Sequence, residues 1–475
     1  MNWMIAAPEI YYLSAALWFL LLSFATRPNQ RREYLSALAL AAVGVVVCLA
    51  SVWSEGFLFV KAYRADLFSQ VFKVLISLGL FLIVCISGDM ADIRGRRLHD
   101  FYLLLFTSTL ALMLLVSADH ILSIYLSLEL SSYSLYILVA LRRDPDLGLE
   151  AGIKYFLIGT FASAVMLFGM ALLYAAGGET YVSAMSIALS GITDQPAVII
   201  GLLFTLGGFF FKLAVFPFHF WAPDTYQGAS NQVAAYIATA SKVAAIAVII
   251  RLVAFAGQGS VLLVDALVVL SIISMTVGNL AAIVQKDLKR LLAFSTVAHS
   301  GYILIGILAL SPAGYSGTIF YALALLLMKF TAFLVLVGAT ENGRNLQIDE
   351  LAGLHRRSPI LALALMVSLF SLAGIPPTIG FTGKFLIFVA AIEKGYVALV
   401  IIAMINVVIS LYYYLLAIKA AYLLEPRQDL PPIRLSYPMK LLAGTTTGVI
   451  VAAGFFPYWF IQIAQAATRV LLWKP

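Results

Sequence analysis

The chain has 475 residues, 63% of them hydrophobic and only 11% charged, with a mean hydropathy of +1.00 and a formal net charge of +7. That balance excludes a soluble globular domain and describes a polytopic membrane protein. The apolar runs are long rather than short and alternating, which excludes a β-barrel; the basic residues stand singly at the ends of those runs, which excludes a nucleic-acid-binding patch.

Apolar runs cut at charged or Pro/Gly loops predict spans at 8–26, 34–53, 67–87, 100–118, 121–141, 150–176 and 196–216. They continue at 231–255, 261–284, 290–310, 315–338, 358–392, 396–424 and 441–465. The fold class is therefore all-α, with about fourteen transmembrane helices and a short helix over 183–190 lying between spans. The first run is long enough to remain as a span, so no cleavable signal peptide is expected, and no soluble domain follows. Cys48 and Cys85 both fall inside apolar runs and form no Cys-x-x-Cys pair, so metal or iron–sulfur ligation is not expected.

Two stretches stand out. Leu206–Gln227, LGGFFFKLAVFPFHFWAPDTYQ, is an apolar helix carrying Lys212 and broken by Pro217. Leu369–Phe388, LFSLAGIPPTIGFTGKFLIF, repeats the design with Pro376, Pro377 and Lys384. Leu213-Ala214-x-x-Pro217 lines up with Leu372-Ala373-x-x-Pro376. Proline inside a span frees backbone groups, which is tolerated only where protein or internal water satisfies them.

Loop charges set an orientation. With the N-terminus outside, the inward loops carry 17 basic residues (Arg27, Arg31, Arg32, Arg94, Arg96, Arg97, Arg142, Arg143, Lys286, Lys289, Arg290, Arg344, Arg356, Arg357, Arg427, Arg434 and Lys440). The outward side carries 6: Lys61, Arg64, Arg251, Lys394, Arg469 and Lys474. The positive-inside rule then places both termini outside.

Seven lysines fall within spans: Lys73, Lys154, Lys212, Lys242, Lys329, Lys384 and Lys419. A lysine at the bilayer centre costs about 3 kcal/mol on insertion scales and as a rule faces a bundle interior or a cavity. Lys154 and Lys419 lie near helix ends and can snorkel to the headgroups. Lys73 lies two turns from its helix end, and its role stays open. For Lys212, Lys242 and Lys384 a place on an ion path outweighs charge-paired packing; for Lys329 the two readings balance.

Glu129, in LSIYLSLELSSYSLYI, is the one carboxylate read as deep in a span. It needs a cationic partner, and Lys212 is the natural candidate. Burial and a nearby carboxylate pull a lysine's proton affinity in opposite directions, so a pair that opens and closes changes that affinity with geometry. His299 reads equally as a relay or a satisfied core histidine, and His219 follows the first proline break and can line the same cavity. Asp119 and His120 sit at a membrane edge, where solvation is the default. No Walker-type glycine loop, no G-x-G-x-x-G and no paired histidines are present, so ATP, nicotinamide and haem are not expected to bind this chain. Its energy must come from elsewhere.

At these residues the sequence resembles the antiporter-like membrane subunits of respiratory complex I, the proton-translocating NADH:quinone oxidoreductase. The matching pieces are LSLEL at Leu126–Leu130, FFFKLAVFPFHFWAPDTYQGA at Phe209–Ala229, ASKVAAIAVIIR at Ala240–Arg251, QKDLKRLLAFSTVAHSGYILIG at Gln285–Gly306 and LAGIPPTIGFTGKF at Leu372–Phe385. Among the types, M carries Glu where this chain has Lys384 and L adds a long lateral helix, so the N type is the expectation. The resemblance implies two inverted five-helix repeats, each with a proline-broken helix: helices 1–3 over 1–99, repeats over 100–255 and 256–424, and a last span in 425–475. It makes Glu129 and Lys212 the coupling pair, Lys242 the central relay and Lys384 the terminal lysine. Lys289 matches a lysine of functional interest in the family, whereas its place in KDLKR reads as a positive-inside anchor, and both readings stand. Lys329 lies about where relatives show a histidine–lysine helix, in imperfect register.

The implied function is proton translocation coupled to NADH oxidation and quinone reduction, with no cofactor in this chain. FMN, iron–sulfur clusters and quinone are then expected in partner subunits. The implied partners are other membrane subunits of M and L types, small membrane subunits and, through them, the peripheral redox arm, all in the inner membrane of a bacterium. Rival readings are the D-type subunit of a multisubunit sodium/proton antiporter, the related subunit of a membrane-bound hydrogenase, and a structural scaffold.

Overall fold

Helices begin where a side chain can hold the free N–H groups of the first turn. Asp66, Asp144, Asp287 and Ser311 each accept from an amide three residues on, and proline follows directly after Asp144 and Ser311. The structure is a computed structural model and describes residues 3–25, 29–90, 93, 97–142, 144–256, 260–340, 343–426 and 431–472. Of the basic residues used for the orientation, Arg27, Arg94, Arg96, Arg143, Arg427 and Lys474 lie outside the described residues.

In chain order the helices are α1 (Ala7–Ala25), α2 (Gln30–Ala50), α3 (Leu67–Cys85), α4 (Leu98–Ser117), α5 (Ile121–Ala140), α6 (Pro145–Gly177) and α7 (Val182–Ala188). Then come α8 (Pro196–Leu213), α9 (Trp221–Gly228), α10 (Asn231–Ala238), α11 (Ala240–Ala256), α12 (Val261–Ile283), α13 (Leu288–Leu308) and α14 (Pro312–Ala339). The last are α15 (Leu354–Arg357), α16 (Pro359–Ala373), α17 (Ile379–Glu393), α18 (Val397–Leu423), α19 (Tyr437–Phe455) and α20 (Tyr458–Leu472). Among the described residues 13 helical stretches are long and apolar enough to cross a membrane, α10 and α11 counting as one. The broken pair α16–α17 makes the fourteenth.

Four features depart from the sequence reading. The 231–255 run is not continuous: it breaks at Thr239, whose φ of −118° and ψ of −92° are not helical. The 441–465 run is two helices, α19 and α20, parted at Phe456–Pro457, because proline cannot donate into the helix ladder. A two-stranded antiparallel hairpin, β1 (Gly56–Leu58) with β2 (Tyr63–Ala65), joins α2 to α3. Tyr63 bridges Ala118, and His120 bridges Tyr181, so hairpin, α4–α5 turn and α7 gather at one end of the bundle, here called the hairpin end.

The fourth departure is the register of the two breaks. Ala214 (φ 63°) and Gly374 (φ 88°) occupy the left-handed position that ends α8 and α16. In each case the following amide, Val215 or Ile375, bonds back to Phe210 or Phe370. Three residues after the left-handed position comes the cis proline, Pro217 or Pro377. The partners are therefore Ala214 with Gly374 and Pro217 with Pro377, one residue off the Leu-Ala-x-x-Pro alignment, which matched letters rather than the turn.

The centre of the molecule is buried all round. All or nearly all residues in the apolar middle of the spans Asn231–Ala254, Leu288–Leu308 and Pro312–Ala339 are buried. Lys242, His299 and Lys329 on these helices are buried.

Candidate functional site

A helix that ends in a left-handed turn leaves its last carbonyls without a partner. At the first break these belong to Lys212 and Leu213. Lys242, two residues into α11 and just past the Thr239 break, donates to both at 3.1 and 2.9 Å. Ser300 on α13 donates to the Leu213 carbonyl as well, at 2.5 Å. At the second break Lys384 donates to the carbonyls of Leu372 and Ala373 at 2.8 and 3.0 Å. Each ammonium also lies near an aromatic ring, Lys242 5.5 Å from Trp221 and Lys384 4.6 Å from Tyr302.

The side chain of Lys212 points elsewhere. It donates to Ser131 at 2.5 Å and Ser132 at 3.1 Å, both on α5. Glu129, one turn before Ser132 on the same helix, takes a hydrogen bond from Ser163 on α6. The expected ion pair is thus not closed: no ion pair among the described residues joins Glu129 to Lys212, and the serines hold the lysine instead.

Between the breaks, Lys242, His299 and Lys329 line one small cavity together with Thr239, Thr296 and Ser300. About 20 Å³ of it is open to the centre of a water molecule, enough for one water. Lys329 itself donates to the Leu292 carbonyl at 2.8 Å and to Ser295. His299 bonds through Nδ1 to the Tyr321 hydroxyl at 2.7 Å and through Nε2 to that of Tyr414 at 3.3 Å, with donor and acceptor set by its tautomer. Its ring lies 5.8 Å from that of Tyr302, the ring beneath Lys384. Glu129, Lys212, Lys242, His299, Lys329 and Lys384 therefore form one row across the bundle. Protonated lysine only donates, so carbonyl and hydroxyl acceptors suit the charged form, and a water beside it gives the proton somewhere to go.

The other candidates resolve as follows. Lys289 is not a headgroup anchor: it is 0% exposed and donates to the Ala229 carbonyl at 2.8 Å, because the loop after α9 folds back over the start of α13. His219 is buried between the rings of Phe216 and Phe220 at the break, and its Nδ1 has no hydrogen-bond partner among the described residues. Lys154 pairs with Glu150 at 2.7 Å and Asp224 at 2.9 Å, and Lys419 is exposed. Buried carboxylates also stand at helix starts: Glu9, in the first turn of α1, pairs with Lys73 at 2.8 Å, and Glu33, in the first turn of α2, pairs with His99 at 3.2 Å. Ser163, Tyr321 and Tyr414 carried no signal in sequence beyond being polar in apolar surroundings.

Residues 118–410 match the family described as NADH:quinone oxidoreductase/Mrp antiporter, TM. Over 99% of this chain and 100% of its own length, NADH-quinone oxidoreductase subunit N 2 of Syntrophobacter fumaroxidans is 67% identical. The chain belongs to the subunit N family of NADH-quinone oxidoreductase. A chain of respiratory complex I from Thermus thermophilus superposes with a TM-score of 0.83 at 31% identity, covering 97% of this chain and 99% of that one. A chain of the Mrp complex from Dietzia superposes at 0.89 but is 22% identical, over 99% of this chain and 98% of that one. The fold is thus shared with antiporter assemblies, and sequence identity separates the N family from them.

Proposed function

We propose that this N-family chain carries protons across the membrane for a NADH:quinone oxidoreductase, along Glu129, Lys212, Lys242, His299 and Lys384. The observation that carries the reading is Lys242: it binds the carbonyl of Lys212 itself, and with His299 and Lys329 it lines a cavity with room for one water. Each lysine can take and give a proton, and the gaps between them are filled by hydroxyls, rings or that cavity. Lys329 and Lys289 supply buried positive charge beside the row, and His219 lines the first break.

The chain works among the other membrane subunits of the complex, with FMN, iron–sulfur clusters and quinone in the partner subunits. It lies in the inner membrane of a bacterium with the hairpin end outside, as the positive-inside count requires. Residues 100–255 and 256–424 are read as two inverted repeats, with the paired breaks at Ala214 and Gly374 as their common element.

Gentle detergent extraction of the native protein tests the assignment. Flavin and iron–sulfur subunits that copurify with NADH:quinone reductase activity are the expected result. Partners that are all antiporter subunits, without redox activity, would move the same lysines to sodium/proton exchange.

A further inference from the structure

The end of the bundle opposite the hairpin holds a cavity that the proton row does not reach. α2 starts and α3 ends there, because the hairpin joins their other ends. The cavity measures about 870 Å³ and lies between the start of α2, the end of α3, the start of α10, the end of α14 and the start of α19. That volume falls within the roughly 300–1,000 Å³ of small-molecule sites.

Its buried wall carries two side chains with unmet needs. Asn231 is 1% exposed and Gln232 3% exposed. Gln232 Nε2 donates to the main-chain carbonyls of Ile86 and Asp89 at 3.3 and 3.4 Å. Asn231 Nδ2 donates at 3.1 Å to the Thr340 hydroxyl, whose own proton goes to the Leu336 carbonyl at 2.7 Å. Both amides are thus fixed in orientation, since turning either would set oxygen against oxygen. Asn231 Oδ1 and Gln232 Oε1 are left buried with no hydrogen-bond partner among the described residues. Only an N–H or O–H can satisfy them.

The same cavity is lined by three charges: Arg357, Arg434 and Asp89. Arg357 spends its Nε on the Pro431 carbonyl at 3.2 Å. The side chains of Arg434 and Asp89 are exposed and have no hydrogen bond or ion pair among the described residues. Two guanidinium groups suit a phosphate, and a basic pocket between membrane helix ends takes a phospholipid headgroup. A doubly anionic headgroup would set its second phosphate against Asp89 and two bare oxygens. A headgroup that pairs one phosphate with an ammonium does not, because an ammonium offers three donors to those three acceptors.

We propose that this cavity binds the headgroup of phosphatidylethanolamine. Arg357 and Arg434 hold the phosphate, and Asp89, Asn231 Oδ1 and Gln232 Oε1 hold the ammonium. Half-buried Tyr34, Leu435 and Met439 line the same cavity, and exposed Leu35 on α2 and Leu441 on α19 continue from them along the helices. The acyl chains leave by that route into the bilayer.

The test places the intact complex in phosphatidylglycerol nanodiscs with a trace of phosphatidylethanolamine that carries a diazirine near the glycerol end of one acyl chain. After irradiation, label on the peptides around Leu35 and Leu441 is read by mass spectrometry. The expected label concentrates there and is displaced by unlabelled phosphatidylethanolamine, but not by excess inorganic phosphate. Arg434→Gln and Asp89→Asn each remove one exposed charge, and each lowers the label about tenfold, the loss of one charge-assisted hydrogen bond. Equal labelling by a phosphatidylglycerol probe of the same design overturns the ethanolamine assignment. Displacement by inorganic phosphate overturns the lipid as ligand. Label spread evenly over lipid-facing helices, or unchanged in both variants, overturns the site.

Discussion

Lys242 and Lys384 make the same contact at two places: each ammonium holds the last two free carbonyls of a helix that ends in a left-handed turn. The distances run from 2.8 to 3.1 Å at both breaks. The lysines come from unrelated directions, one from a separate helix and one from the helix directly after its own break. A proton lost from either lysine weakens the grip on a broken helix, so charge on the row and the shape of the breaks are linked.

Lys384→Met leaves two buried carbonyls without a donor and Lys242→Met leaves one, since Ser300 still donates to the Leu213 carbonyl, at a cost of about 1–3 kcal/mol for each such group. We expect Lys242→Met and Lys384→Met to lower the thermal midpoint of the purified protein and to abolish proton pumping. Differential scanning of the detergent-solubilised chain reads the first, vesicle acidification the second. A midpoint equal to that of the unchanged protein contradicts the latch.

The Ser131 and Ser132 hydroxyls keep Lys212 off Glu129. In Ser131→Ala with Ser132→Ala the ammonium has lost both acceptors, and Glu129 is the remaining carboxylate one turn away. We expect the ion pair to close and pumping to fall, while either single variant, keeping one hydroxyl, retains part of it. A structure of the double variant with Lys212 unmoved goes against this.

Gly374 takes the left-handed turn at the second break, where Ala214 stands at the first. A Cβ on Gly374 would lie 3.1 Å from the Lys384 stem. Gly374→Ala is expected to cost about 1–2 kcal/mol from the left-handed backbone and to displace the lysine. Gly380→Ala is worse, since its Cβ would sit 1.9 Å from the Ser371 carbonyl oxygen, a backbone atom that cannot swing aside. Yield of folded protein after extraction ranks the two.

Two carboxylates outside the spans give opposite responses to pH. Burial alone would raise Asp66, but Arg251 and Arg64, with the Ser69 amide, hold its carboxyl below the ordinary value. The folded state therefore favours the ionised form, and the stability this adds above about pH 4 is lost as the pH falls below it. Burial raises Asp119, with Ser183 and Arg251 offsetting only part. Ionising it at neutral pH opposes folding. Asp66→Asn should thus destabilise at pH 7 and flatten the acid limb, whereas Asp119→Asn should stabilise at pH 7; denaturation midpoints across pH check both signs.

Much of this was legible in the residues. Prolines and lone lysines in apolar runs marked both breaks and the members of the row, since each is expensive in a membrane unless something satisfies it. What the row does to those residues was not legible. The left-handed turns sit at Ala214 and Gly374, and nothing about alanine announces that conformation. Thr239 breaks a helix without glycine or proline. Lys289 read as an anchor because a lysine at a helix start normally faces water, and only the fold-back of the Ala229 loop buries it. Glu129 and Lys212 were matched by charge, which says nothing of the serines between them.

Lys212 offers the most direct test of the central claim, because among the described residues its side chain donates to the Ser131 and Ser132 hydroxyls and its loss unlatches neither break. The measurement is protons moved per NADH oxidised by the intact complex carrying Lys212→Ala. The account predicts a complex that retains its partner subunits and pumps only a small fraction of the normal yield. A normal yield would contradict it.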